Sequence, residues 1–482
     1  MKWDKIEPER RFGVSVQNRS ERNRVDRENM IQECKNPIVE DDFHGFLHRD
    51  CEGTEQLRFG VFLRRIDMDR LIFHVDVNSA FLSWQAKYEL EQLHMERDLR
   101  LIPAAVGGDP KTRHGIVLAK STPAKKYGVT TGEPLSRALE KCPNLVIVQP
   151  KFDEYVKNSR AFMDILKEVA PVVEQASIDE AYCDMSGTGR IYGDPVEFAH
   201  RLKDRIREEL HFTVNVGISN CKLLAKMASD FEKPDKVHTL FPDEIEKKMW
   251  PLPARELFLV GRSSAKKLTG LGIRTIGDIA RMDPALLQLH FGKQGITMWE
   301  FACGIDESPV RSESDAAKSY GNSVTLRFDV TDANNAKKIL LSLCETVGAR
   351  LRADKAYIRS VTVTIKDCEF RTTSHQAGLS NATNVTEVIY REACVLFDQL
   401  WDHTPIRLLG VSTGKITDDA YSQMELFSTA PANGPTPEKL SKLNAAIDQI
   451  RDRYGEDSVK RARFLEGGSH MTKGLNKAKR EE

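Results

Sequence analysis

The chain has 482 residues, 40% of them hydrophobic and 29% charged, and this length allows several domains that each bury a core of their own. Acidic and basic side chains balance to a formal net charge of zero, so a nucleic-acid-binding surface would need its positive charge concentrated locally. No run approaches the ~18 apolar residues that span a bilayer, and the N-terminus is charged, which excludes a membrane protein and predicts a cytoplasmic location.

The nine cysteines are scattered, odd in number and never spaced as CxxC. This pattern predicts neither a disulfide framework nor a zinc site. We therefore expect reduced cysteines that pack in the interior.

Residues 1–67 are crowded with Arg, Glu, Asp and Asn and lack a sustained apolar period. A segment of this composition cannot bury enough apolar surface to offset the entropy of ordering. We predict a disordered or poorly packed extension, or a start codon placed too early.

Alternating strand and helix patterns then predict an α+β sheet domain over residues 68–245. Asn78 or Ser79 is the expected N-cap of its first helix. The predicted strands are 71–77, 104–108, 114–121 and 144–150, followed by a hairpin at 171–186 and a strand that begins near 213. The predicted helices are 78–93, 122–129, 134–142, 152–170 and 195–209, with a last one after the strand near 213.

The hairpin carries two adjacent acids, Asp179 and Glu180, in "PVVEQASIDEAYCDMS". One interpretation is a solvated turn, because Asp is common in turns and charges usually face water. Ile178 and Tyr182, however, belong to a strand pattern, so at least one acid lies along a packed surface. A functional interpretation then requires a third carboxylate.

Asp76 in "FHVDVNSAF" supplies that third carboxylate, at the end of the first strand and before a helix. In sheets of this kind chemistry gathers at the carboxyl ends of strands, beside helix N-termini. Asp76, Asp179 and Glu180 together would repel one another without divalent cations, and two Mg²⁺ ions bridged by carboxylates serve phosphoryl transfer. Chemistry alone thus predicts metal-dependent phosphoryl transfer.

Residues 257–280, "LFLVGRSSAKKLTGLGIRTIGDIA", resemble a helix-hairpin-helix. Gly261 would let backbone amides approach a phosphate, and the helix N-terminus at Arg262, Ser263 and Ser264 favours an anion. An ordinary helical connection is the alternative. We favour contact with a DNA backbone.

Residues 317–417 alternate again and predict a small ββαβ-like α+β module. Its stretch from 350 to 371 is locally basic, which suits a phosphate backbone if it forms one edge of a sheet, although a solvated face is the simpler alternative. The basic residues are Arg350, Arg352, Lys355, Arg359, Lys366 and Arg371, against Asp354, Asp367 and Glu369.

The segment "YSQMELFST" at residues 421–429 precedes a Pro- and Gly-containing stretch that predicts a flexible tail over 421–482. Leu426 and Phe427 have no core to enter there. The segment is either a short packing strap or a docking peptide.

In this order, "HVDVNSAFLSWQA", "SIDEAYCDMS", "VGISNCKLLAKMASDFEKP", the helix-hairpin-helix and "QMELF" resemble a bacterial Y-family translesion DNA polymerase of the DNA polymerase IV type, over about residues 70–428. The resemblance implies a right-hand polymerase with palm and fingers at 68–245, a helical thumb at 246–316 and a little finger at 317–420. It implies an error-prone, template-directed enzyme that adds deoxynucleotides to a primer, bypasses lesions and acts as a monomer.

The resemblance also implies roles for single residues. Asp76, Asp179 and Glu180 would bind two Mg²⁺, with the Val77 carbonyl as a further ligand. Lys233 would meet the incoming triphosphate, and Gln423, Leu426 and Phe427 would bind a sliding clamp. Phe81 would be the steric gate that excludes a 2′-hydroxyl, although its spacing also suits a core position on an amphipathic helix.

Three positions depart from the family pattern. Asn78 replaces a second acid that is not an essential ligand. Thr122 and Lys125 replace the usual tyrosine and arginine over the triphosphate. The ammonium of lysine keeps the positive charge, but it cannot donate the two parallel hydrogen bonds that a guanidinium makes to a phosphate. We expect nucleotide binding to be weaker or differently oriented as a result.

Two other functions remain open at this stage. A catalytically silent DNA-binding scaffold is disfavoured because all three carboxylates are present. A nucleotide cyclase has a core similar to a polymerase palm, but it would leave the helix-hairpin-helix and the little finger without a purpose.

Overall fold

The computed structural model describes residues 70–108, 115–313, 316–418 and 436–464. The extension predicted at 1–67 and the peptide at 423–427 lie outside these ranges. The first strands are β1 (Ile72–Val77), β2 (Ala104–Gly107), β3 (Val117–Lys120), β4 (Val146–Val148), β5 (Val172–Gln175), β6 (Glu180–Asp184), β7 (Val214–Ser219) and β8 (Val237–Thr239). The first helices are α1 (Ala80–Glu91), α2 (Thr122–Lys126), α3 (Leu135–Lys141), α4 (Phe152–Val169), α5 (Gly189–Tyr192), α6 (Pro195–Leu210) and α7 (Lys222–Ser229).

Strand β1 lies in the middle of a sheet that, in the described chain, has the order β5-β6-β1-β7-β8. All of its residues are buried, because antiparallel strands β6 and β7 flank it and helices cover the sheet. Its register places Asp76 opposite both Glu180 and Asn215. The predicted hairpin is confirmed as β5 and β6. The acids of the hairpin therefore meet the end of β1.

A smaller sheet with the order β3-β2-β4 stands beside the first one. Its helix α2 begins after the buried Ser121, whose hydroxyl accepts a hydrogen bond from the Ala124 amide, and Pro123 lies in the first turn. The predicted strands at 104–108 and 114–121 and the Pro-marked helices are thus confirmed. This sheet supplies one wall of the site described below.

The helical part that follows shares a core with α7, through Leu224 and Met227. Gly272, in the turn between its second and third helices, adopts a left-handed conformation with φ of 83°, which favours glycine. Residues 257–280 thus contain two helices joined by a tight turn at Gly272, whereas the turn predicted at Gly261 lies between the 3-10 turn Ala254–Glu256 and the helix Arg262–Gly270. The helices are α8 (Ile245–Lys248), α9 (Arg262–Gly270), α10 (Ile276–Arg281), α11 (Pro284–Phe291) and α12 (Lys293–Ala302), with 3-10 turns at Pro242–Glu244 and Ala254–Glu256.

The last sheet comprises β9 (Gly321–Val330), β10 (Tyr357–Asp367), β11 (Thr372–Thr383) and β12 (Ile406–Thr417), with helices α13 (Ala333–Ala353) and α14 (Thr386–Leu400). Its order among the described residues is β11-β10-β12-β9, so the connectivity is βαββαβ. The prediction of a ββαβ-like module was wrong because it omitted β11. This edge strand is mostly polar and exposed, so it lacks the apolar alternation by which strands are recognised.

Helix α15 (Pro437–Tyr454) corrects the prediction of a flexible tail, which fails for residues 436–464. Thr436 caps the helix with Pro437 behind it, so the local start signal was present in the sequence. Its inward face consists of Leu440 with the polar residues Asn444 and Arg451. A helix that is buried through polar side chains shows a weak apolar stripe, which explains why the pattern was missed. A 3-10 turn at Ala462–Phe464 follows.

Buried charges join this C-terminal segment to α13 and α14. Asp448 accepts a hydrogen bond of 2.6 Å from Arg352, and Glu345, only 4% exposed, pairs with Arg461 at 2.5 Å and with Arg451 at 3.4 Å. Such buried pairs are costly to break from one side, since the other charge stays buried. The C-terminal segment is thus an integral layer of this domain.

We expect Asn444→Ala to loosen this layer. The side-chain oxygen Oδ1 of Asn444 accepts a hydrogen bond of 2.9 Å from the backbone amide of Thr386. Thr386 is the first residue of α14, and the N-cap of that helix makes no side-chain hydrogen bond. Leaving this buried amide unpaired costs about 1–3 kcal/mol, measurable by urea unfolding and by faster hydrogen exchange at the start of α14. Gln449→Ala, at an exposed position of the same helix, is the matched control. Equal exchange in both variants would contradict the assignment.

The seven cysteines that the structure describes are free, and four of them are buried, as expected for packing cysteines. None of the described helices is long and apolar enough to cross a membrane.

Candidate active site

The backbones of the three predicted acids come together at one end of the central sheet. Asp76 lies opposite Glu180 across β1 and β6, and the Val77 amide donates to the Asp179 carbonyl at 3.0 Å. Asp76 is only 7% exposed. A carboxylate this buried, beside a second acid, needs positive charge nearby.

Two lysines supply that charge. Lys226, on α7, places its Nζ 2.7 Å from Glu180 Oε1 and 3.7 Å from Asp76 Oδ2. Lys233 lies 3.1 Å from Asp76 Oδ1 and 2.8 Å from Asp230 Oδ1. Sequence reasoning singled out Lys233 but missed Lys226, although both belong to the quoted motif.

The electrostatic environment shifts the pKa values of Asp76 and Glu180 in opposite directions. Burial and the neighbouring Glu180 raise the pKa of Asp76, although Lys233 acts in the opposite direction. Burial alone would raise the pKa of Glu180, but hydrogen bonding with His74, Asp76 and Lys226 holds it below its ordinary value.

His74 is a second residue that sequence reasoning missed. It is fully buried on β1, two residues before Asp76, and its Nδ1 lies 2.8 Å from Ser229 Oγ. Its Nε2 lies 3.6 Å from Glu180 Oε2, and burial lowers the pKa of the ring. The alternation of β1, which puts residues 74 and 76 on one face, was the signal that could have found it.

The donor set fits Mg²⁺ by its chemistry, because hard cations prefer carboxylate and carbonyl oxygens and the crowded acids gain from added positive charge. It is not a preformed cage: in the ranges described, no three Asp, Glu, His or Cys side chains converge on one point. Asp179 instead accepts a hydrogen bond of 2.7 Å from Ser177 Oγ, while the lysines neutralise Asp76 and Glu180.

A cleft of about 350 Å³ opens beside the acids. The four residues predicted to bind a nucleotide, which are Phe81, Thr122, Lys125 and Lys233, all line it, and so does Asp179. Sequence reasoning did not single out other lining residues, notably Lys120, Ser121 and Thr131.

Phe81 belongs both to the cleft and to an aromatic cluster. Its ring stacks on Tyr155 at 5.1 Å between centroids and 17° between planes, and it meets Phe152 edge-on at 6.1 Å. The side chain is half-buried and lines the cleft with its remaining surface. The two predicted roles of Phe81 are therefore compatible, because one ring can pack in the cluster and also face the cleft.

Asn78 does not cap α1; Ser79 occupies the N-cap position without a side-chain hydrogen bond. The Asn78 side chain donates to Asn215 Oδ1 at 3.1 Å and accepts from the Asp235 amide at 2.8 Å and from Thr213 at 3.0 Å. A carboxylate at this position could not donate to Asn215. The asparagine thus ties the loop after Lys233 to the start of α1.

Three family models match the chain in order. The impB/mucB/samB family covers residues 75–230, the thumb domain of DNA polymerase-iota covers 255–306, and the impB/mucB/samB family C-terminal domain covers 317–426. The chain is 45% identical to the DNA polymerase IV of Clostridium acetobutylicum, over 83% of this chain and 99% of that protein. This chain belongs to the DNA polymerase IV family. It is also 37% identical to the DNA polymerase IV of Acetivibrio thermocellus, over 85% of this chain and 100% of that protein.

The fold agrees with this family. A solved Y-family DNA polymerase chimera, Dbh-Dpo4-Dbh, matches with a TM-score of 0.60 and 25% identity, over 72% of this chain and 99% of that chain. The α+β, multidomain Y-family fold expected from the sequence is thereby confirmed.

The residues expected at the helix-hairpin-helix of a DNA polymerase IV come together at one helix start. Gly261 is the N-cap of α9, and Arg262 and Ser263 are exposed, with Ser264 half-buried. A Cβ built on Gly261 would meet nothing within 4 Å, so space is free around this backbone.

The basic stretch expected on one sheet edge is divided by the fold. Arg350 and Arg352 lie on helix α13, and Arg352 is committed to Asp448, so the single basic edge was a wrong prediction. Arg359 is on β10, and Arg371 pairs with Asp367 at 2.8 Å beyond the end of that strand. Residues 350 and 352 follow a helical rather than a strand periodicity, so their side chains do not belong to the sheet.

The open face of the last sheet offers different groups. The buried residues Val361, Val363 and Ile365 alternate with Thr362, Thr364 and Lys366, which face away from α13 and α14. The alternation "VTVTIK" was the signal for this face.

Proposed function

We propose that this chain is a template-directed DNA polymerase that adds deoxynucleotides to a primer and continues past lesions by metal-assisted phosphoryl transfer. The observation that carries the proposal is that Asp76 and Glu180 lie opposite each other across β1 and β6, while the neighbouring Asp179 lines the cleft together with Phe81 and Lys233. Acids that must be neutralised and a lysine-lined cleft suit a nucleoside triphosphate with its metal ions.

Asp76, Asp179, Glu180 and the Val77 carbonyl would hold two Mg²⁺, which when bound stabilise the charge on the attacking and leaving oxygens. The chain itself prepares this site. The pairing of β1 with β6 fixes the backbones of Asp76 and Glu180, and Lys226 lies close to both carboxylates and offsets part of their charge.

Phe81, Thr122, Lys125 and Lys233 would bind the nucleotide. The Phe81 ring would pack under the sugar, held at its angle by Tyr155, on which it stacks. Lys233, drawn to Asp76 and Asp230 here, would move towards the triphosphate, whose charge is larger.

We assign palm and fingers to 68–245, the thumb to 246–316 and the little finger to 317–420, with α15 added to its helical layer. The amides at the start of α9 and the open face of β10 would contact the DNA backbone. Arg350 and Arg352 leave the proposed contacts, because both lie on α13, which covers the opposite face of the sheet, and the guanidinium of Arg352 is engaged by Asp448. The proposed DNA-contact residues are Gly261, Arg262, Ser263, Ser264, Arg359 and Arg371.

Residues 423–427 would bind a sliding clamp and raise the effective concentration of a monomeric polymerase at the primer end. The double variant Leu426→Ala with Phe427→Ala should lose this stimulation, by on the order of tenfold or more, since tethering can raise avidity by ~10²–10⁴. The measurement is the ratio of synthesis with clamp to synthesis without it. Ser428→Ala with Thr429→Ala is the control, and an unchanged ratio in the first variant would favour a packing strap.

Primer extension on undamaged and abasic templates tests the function. A polymerase extends both primers with deoxynucleotides that the template specifies. A DNA-binding scaffold extends neither, and a nucleotide cyclase releases cyclic product without a template. Either of the last two outcomes would overturn the proposal.

A further inference from the structure

Lys120 is a residue of the cleft that has no assigned role. It ends β3, is half-buried, and lines the cleft together with Lys125 and Thr131. Its Nζ donates a hydrogen bond of 3.2 Å to Thr131 Oγ1, which holds the ammonium on the wall of the cleft.

Among the described residues, the charge of Lys120 has no acidic partner within ion-pairing distance. In the part of the chain that the structure describes, neither Lys120 nor Lys125 has a carboxylate within ion-pairing distance. The acid that most influences Lys120 is Glu133, which already binds Lys141 at 2.5 Å and the Thr130 amide at 2.8 Å. Burial and the neighbouring Lys125 lower the pKa of Lys120 accordingly.

The other cations of the site differ from this pair. Lys226 and Lys233 each have carboxylate partners. A half-buried ammonium beside a second one is unfavourable by itself and becomes favourable when an anion enters between them. In the described ranges, one wall of the cleft thus carries lysines that are paired with carboxylates, and the opposite wall carries Lys120 and Lys125, which are not.

We propose that Lys120 binds the phosphate groups of the incoming nucleotide together with Lys125, with Thr131 as the residue that positions it. This inference rests on the proposed polymerase function and concerns the same cleft. The ammonium groups of Lys120 on β3 and Lys125 on α2 together take the place of a guanidinium, whose two parallel hydrogen bonds to a phosphate Lys125 alone cannot form. Lys120 in this way compensates for the guanidinium that Lys125 does not provide.

Steady-state extension with Lys120→Met tests the role. Loss of one charge-assisted hydrogen bond should raise the KM for deoxynucleotides roughly tenfold while kcat at saturation stays close to wild type. Lys120→Arg should keep KM near the wild-type value, because it retains the charge. Lys126→Met is the matched control, since Lys126 is exposed on α2, the helix that carries Lys125, and does not line the cleft.

A second readout does not depend on turnover. Inorganic tripolyphosphate, in EDTA and without DNA, should displace a fluorescent deoxynucleotide from the wild type and from Lys126→Met alike, and about tenfold less effectively from Lys120→Met. Hydrogen exchange of β3 reports whether Lys120→Met is folded, and Lys120→Gln replaces it if it is not.

The outcomes test the role of Lys120 separately from the proposed polymerase function. If the wild type extends primers while the neutral Lys120 variants keep its KM and its tripolyphosphate affinity, the inference is overturned and the polymerase stands. If the wild type extends no primer, the polymerase fails, and loss of tripolyphosphate binding in Lys120→Met would still support a phosphate site there.

Discussion

Asp179→Ala and Glu180→Ala should each abolish primer extension, lowering the rate on the order of 10³-fold or more while DNA binding stays nearly intact. The physical reason is that each substitution removes one of the oxygen ligands proposed to hold the metal ions. Asp179 is the cleaner test, because its carboxylate accepts a hydrogen bond from Ser177 and forms no ion pair with Lys226 or Lys233. Extension by single-turnover kinetics and DNA binding by fluorescence anisotropy are the two measurements.

Glu180→Ala has a second consequence. It removes the closest carboxylate partner of Lys226 and the acid that faces His74, so the local fold also loses a buried interaction. Asp184→Ala is the matched control, since Asp184 lies at the other end of β6, where it accepts from the Ser186 amide. Wild-type extension by either active-site variant would rule out the assignment of the carboxylates.

Phe81→Ala should admit ribonucleotides while retaining much of the deoxynucleotide activity. Exclusion by a ring acts through clash, and forcing extra atoms into a filled site costs about 1–3 kcal/mol, so discrimination should fall roughly ten- to hundredfold. The measurement is the ratio of kcat/KM for a deoxynucleotide to that for the matching ribonucleotide. Phe81→Tyr, which keeps the volume of the ring, should keep most of the discrimination.

The aromatic cluster requires its own control, because Phe81 also stacks on Tyr155. Phe152→Ala removes another ring of the same cluster, one that is 44% exposed and does not line the cleft. If Phe152→Ala admits ribonucleotides as readily as Phe81→Ala, loosening of the cluster and not a gate explains the effect. If Phe81→Ala unfolds or still rejects ribonucleotides, Phe81 is a core residue.

Much of this molecule follows from local sequence patterns. The apolar β1 with Asp76 near its end, the hairpin with Asp179 and Glu180, and the helix that starts after Gly261 are all recognisable from neighbouring residues. Periodicity and turn residues determine burial and direction along a single element, so these elements and the acids on them were predictable. The ordered motifs likewise sufficed to indicate the family.

The tertiary structure alone decided which groups meet across elements. Glu180 and Lys226 are 46 residues apart in the chain, and Asn78 and Asn215 are 137 apart, so no local pattern relates them. The exposed edge strand β11 and the polar-faced helix α15 are stabilised by neighbours rather than by their own apolar period. Lys120 looks like any strand-end lysine until the fold places it on the cleft without a carboxylate partner among the described residues, because charge balance is a property of the assembled site.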